Sequence, residues 1–73
     1  EKLLFRIIRA AFNQRRKTLV NALSSAMGEI TKEQAEKAVE KCGFDARIRG
    51  EALDIGSFVK IADEIYSIIN SDL

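Results

Sequence analysis

The sequence predicts an all-α fold, a small bundle of about four helices with short connections. Apolar residues recur at helical spacing in four separate stretches, and no stretch alternates with period two. Recognisable helix boundaries separate those stretches. There is no proline, and the apolar fraction is that of a globular protein. At 73 residues the chain makes one small domain with a thin core.

The first helix is expected at about 2–12, where Leu3, Leu4, Ile7, Ile8 and Ala11 form one stripe and Lys2, Arg6 and Arg9 face away. Its period breaks there, because continuing the stripe puts Arg15 in the middle of the apolar face. A second stripe, Leu19, Ala22, Leu23, Ala26 and Met27, resumes with its phase rotated. This predicts a second helix at about 14–27, with Asn13 as its N-cap and Gly28 as its end.

Thr31 and Gln34 have capping-box spacing, and Ala35, Ala38, Val39 and Cys42 form a narrow stripe behind them. The third helix is therefore set at about 32–42. Glu33 and Lys37 have the spacing of a solvent-side pair. Gly43 suits the left-handed position after the helix, with Phe44 folding back. Residues 44–54 read as a connection with room for one helical turn after Asp45, and Asp54 as the cap of a helix at 55–69. Ile55, Phe58, Val59, Ala62, Ile65, Tyr66 and Ile69, widened by Ile61 and Ile68, make that helix the one expected to be most enclosed.

Charge is unevenly placed. Net charge is +1, yet residues 1–20 hold six cations against Glu1, and residues 21–73 hold six against ten acids. The basic end centres on Arg15-Arg16-Lys17. In the first turns of a helix capped by Asn13, these cations oppose the helix dipole at roughly 0.3–1 kcal/mol each. A local rule broken without folding gain points to a functional site. Arginine offers phosphate a planar fork and lysine a mobile point charge, so an RNA or DNA backbone fits the cluster. Arg6, Arg9, Asn13 and Gln14 can extend the contact. Phe12 has the shape to stack on a base, but a core role fits its position better. The competing reading is a protein-interaction or structural module whose basic end meets an acidic partner.

Catalysis finds little support. Histidine is absent, and Cys42 is the only cysteine, so neither a Cys/His zinc site nor an activated thiol is expected. There is no glycine-rich phosphate loop. Arg49 and Glu51 are expected to form a local salt bridge. No apolar run approaches the roughly 20 residues that span a bilayer. The composition fits a cytoplasmic protein. The chain opens at Glu1 inside a helical pattern, which is expected of a piece of a longer protein.

The stretch "FRIIRAAFNQRRKTLVNAL", residues 5–23, resembles the C-terminal helical domain of the KsgA/RsmA-type small-subunit rRNA adenine dimethyltransferases. Residues 49–65, "RGEALDIGSFVKIADEI", resemble the same domain less specifically. The resemblance implies a parent that dimethylates neighbouring adenines with S-adenosylmethionine. Cofactor and catalysis would lie in a Rossmann-like N-terminal domain absent from this chain. It further implies that this domain docks on the assembling small subunit, with Arg15, Arg16 and Lys17 on rRNA and Thr18 capping or bracing the second helix. Ala46, where the family often has proline, and Gly50 and Gly56 depart from its pattern.

Overall fold

The computed structural model describes residues 2–14 and 16–70. It contains α1 (Lys2–Asn13), α2 (Leu19–Ala26), α3 (Lys32–Lys41), a 3-10 turn (Gly50–Ala52) and α4 (Ile55–Asn70), with no strand among the described residues. The Cα radius of gyration is 10.6 Å, against about 11 Å for a folded chain of this length. These residues thus pack as a unit. The helices follow one another around a single core, α1 against α2, α2 against α3, α3 against α4, and α4 back against α1.

That core is entirely apolar. Phe58, Ile61 and Ile65 of α4 meet Ile7 of α1, Leu19 and Leu23 of α2, Met27, and Val39 of α3, all essentially without solvent contact. Small residues set the spacing: Ala10 and Ala11 on α1 and Ala35 and Ala38 on α3 let the backbones approach. No polar or charged residue is buried among those described.

Three helix boundaries follow the local chemistry expected of them. The capping box at α3 is complete, with the Gln34 amide donating to Thr31 Oγ1 and the Thr31 amide donating to Gln34 Oε1. At its other end Gly43 takes φ 91°. The Gly43 amide then bonds to Glu40 O and the Phe44 amide to Val39 O, a Schellman closure. Asp54 caps α4, its Oδ1 accepting from the Ser57 amide at 2.8 Å.

The second helix differs from expectation. It starts at Leu19 rather than near 14, and its N-cap is Thr18, whose hydroxyl accepts from the Asn21 amide at 3.2 Å. Asn13 is the last residue of α1, not a cap. The stripe on α2 begins only at Leu19, so apolar burial gives residues 14–18 no reason to be helical. The helix also stops at Ala26, which is exposed, with Met27 as C-cap. Gly28 adopts no left-handed conformation.

Smaller differences concern the third connection and the last helix. Glu33 does not pair with Lys37, nor Arg49 with Glu51. Instead Asp45 holds its own turn, accepting from the Arg47 amide at 2.7 Å and lying 3.8 Å from its guanidinium. The helical turn comes later, at Gly50–Ala52. A Cβ on Gly50 would stand 2.6 Å from Ala11 Cβ, so this turn rests on α1 at a spacing that any side chain would force apart. Cys42 is half-buried at the end of α3. Burial and the nearby Glu64 carboxylate push its thiol upward, as expected of a structural cysteine. α4 is not enclosed: Ile55, Val59 and Tyr66 are exposed along one edge.

Candidate nucleic-acid interface

The basic cluster occupies the turn between α1 and α2. Gln14 closes that turn, its carbonyl accepting from the Lys17 amide at 3.0 Å. Arg16 and Lys17 are exposed on it, Asn13 is exposed at the end of α1, and Gln14 is half-buried. Arg9 is exposed one turn earlier on the outer side of α1. Among the described residues no acidic side chain pairs with Arg9, Arg16 or Lys17. Arg15 lies outside the described residues.

The turn stands on a fixed base. Directly after it, Thr18 caps α2, and Leu19 and Val20 are buried in the core. The Leu19 amide donates to the carbonyl of Ile48 at 2.8 Å, tying the start of α2 to the connection after α3. The cations therefore project from a constrained stem, and orienting them on a ligand loses little backbone freedom.

Their position also changes the electrostatics. Arg16 and Lys17 precede the cap of α2 instead of filling its first turn. They follow the C-terminus of α1, where the dipole favours positive charge. The cluster is thus compatible with folding, and what marks it is the absence of carboxylate partners. The start of α2 offers an anion few free amides, because those of Leu19 and Asn21 already donate to Ile48 O and Thr18 Oγ1.

Arg6 is placed differently. Both its terminal nitrogens lie 2.8 Å from the two carboxylate oxygens of Glu29, in the connection between α2 and α3. These paired hydrogen bonds hold the Glu29 carboxyl below its usual range and raise the Arg6 guanidinium further. Arg6 reaches another anion only by leaving Glu29. Sequence reasoning missed this pair, because the partners are 23 residues apart and no local pattern links them.

Phe12 is neither a core residue nor a free platform. The residue is 44% exposed, and its ring meets that of Phe58 at a centroid distance of 6.2 Å, tilted by 44°. Among the described residues no group of histidine, cysteine and carboxylate side chains is placed to hold a metal. No helix among the described residues is long and apolar enough to cross a membrane.

Comparison with known proteins finds sequence relatives for nearly the whole chain. The chain is 52% identical over 66 residues to Ribosomal RNA small subunit methyltransferase A of Clostridium acetobutylicum, a match covering 90% of this chain and 23% of that protein. It is 49% identical over 69 residues to the protein of the same name from Clostridium botulinum, covering 94% of this chain and 24% of the relative. The Clostridium perfringens protein is 45% identical over 71 residues, again 24% of its length. No family model matches the chain. The chain thus spans about a quarter of the length of these relatives. At this identity over nine-tenths or more of its residues, the chain is similar throughout to one segment of these small-subunit rRNA methyltransferase A proteins.

Proposed function

We propose that these residues are the rRNA-docking domain of an S-adenosylmethionine-dependent rRNA adenine dimethyltransferase that acts in small-subunit maturation in the cytoplasm. The observation that carries the reading is the anchored turn bearing exposed cations without acidic partners. Arg15, Arg16 and Lys17 contact phosphates, with Arg9, Asn13 and Gln14 on the flanks. Arg6 joins only when RNA displaces Glu29. The names of the relatives support rRNA as the partner.

The chain itself performs no methyl transfer in this reading. It has no glycine-rich loop following a strand, so its residues do not fit S-adenosylmethionine. The cofactor and the catalytic groups are assigned to an N-terminal domain of the parent. The part described here contributes position, bringing that domain to one place on the assembling subunit.

Salt dependence tests the assignment. With about three to five phosphates neutralised, log affinity of the parent for small-subunit rRNA falls against log salt with a slope of roughly −2 to −4. Replacing Arg16 and Lys17 together by Glu reduces that slope by about 2 and weakens binding at least about tenfold at low salt, while circular dichroism stays unchanged. Equal affinity and slope in the double variant reject the turn as the RNA contact. Retained RNA binding with lost affinity for an acidic protein would favour the interaction-module reading instead.

A further inference from the structure

One surface is not absorbed by the RNA reading. α1 and α4 run antiparallel, with Phe12 near Phe58 at one end and Leu3 and Leu4 beside Tyr66 at the other. Towards the latter end the helices part into an open groove of about 390 Å³. Leu3, Leu4, Val59, Ala62 and Tyr66 line it, with Asp63 the one charged side chain among the described residues. The apolar edge continues one turn back along α4 to Ile55. Ile55 is 64% exposed and Tyr66 62%.

We infer that this groove is the seat of the remainder of the parent protein, a fixed interface between this domain and the rest of its own chain. The inference rests on the proposal that these residues are one domain of a longer methyltransferase. Three observations select the occupant. The relatives are about four times as long as the matched segment, so most of such a protein lies outside it. Among the described residues the lining is apolar with one carboxylate and no cation, which suits a packed protein surface better than phosphate. The groove also lies at the opposite end of α1 from Arg16 and Lys17, roughly 18 Å away for a 12-residue helix. Protein and RNA can then be engaged at once, at the two ends of one rigid element. Tyr66 suits the rim of such a contact, with an apolar ring and a polar tip.

Hydroxyl-radical footprinting of the full-length parent tests the assignment without a variant. Tyr66 is the only tyrosine in this chain, so its oxidation is read from a single peptide by mass spectrometry. In dilute, RNA-free solution Tyr66 is expected to react at least about fivefold more slowly in the folded parent than in the urea-unfolded one. A difference below about twofold, as expected for a side chain this exposed, overturns the proposal. Protection that appears only as concentration rises into a dimeric range overturns it in favour of a second copy. Protection that appears only on adding small-subunit rRNA overturns it in favour of an RNA contact. The footprint does not depend on Arg16 or Lys17, so loss of the docking reading and loss of this one are separately visible.

Discussion

At the scale of single residues, two glycines that look alike in the sequence have opposite meanings. A Cβ on Gly50 meets Ala11 Cβ at 2.6 Å, inside the contact between the 3-10 turn and α1. A Cβ on Gly56 meets only Asp54 Oδ1, at 3.7 Å. Gly50→Ala is therefore expected to lower stability by about 1–3 kcal/mol through overpacking. Gly56→Ala should be neutral or raise stability by up to about 0.5 kcal/mol, since alanine is the better helix former. Urea denaturation of the two variants separates them, and equal effects would mean that the α1 contact is not tight. The Arg6–Glu29 pair belongs to this scale too. It is exposed, so its effect on stability is small and screened by salt.

At the scale of elements, the helix boundaries carry the pH dependence. Asp54 is held below its usual range by the backbone hydrogen bond from Ser57, and Glu29 by its hydrogen bonds from Arg6. Both folded values are depressed, so the stability they add is fully present above the unfolded values near pH 4. It is lost as pH falls through the lower folded values. A protein carrying Asp54→Asn and Glu29→Gln should be less stable than the parent at neutral pH and lose less of its stability between about pH 4 and pH 2. Thermal melts across that range read the difference in slope. Elements also show what the sequence made legible. Thr31, Gln34, Gly43 and Asp54 act within four residues of their own positions, and their roles were readable. Thr18 entered as a cap or brace only through the family resemblance, because Asn13 is an equally good cap five residues earlier and periodicity alone does not decide between them. The exposure of Ile55, Val59 and Tyr66 was hidden for another reason. Seven apolar positions at helical spacing describe a wide stripe, but only the packing of α1 shows how much of it is covered.

At the scale of the whole molecule, one core serves all four helices, and Phe58 stands where α4 meets α1. Phe58→Ala should cost about 3–5 kcal/mol. That is a large part of the roughly 4–11 kcal/mol available to a domain of this size. The expected result is loss of a cooperative thermal transition, measured by calorimetry. The basic cluster was legible as composition, and its placement on a turn was not, because the start of α2 depends on contacts from the far side of the chain. The bond between the Leu19 amide and the Ile48 carbonyl carries a consequence for how such a protein can drift. Exposed connections ordinarily gain and lose residues freely. Adding a residue between Gly43 and Ile48 would draw that carbonyl away from Leu19 and swing the turn that bears Arg16 and Lys17. The length of an apparently idle loop is thereby held constant by a neighbour almost thirty positions earlier. Insertions should instead collect at Gly28, which has open space around it.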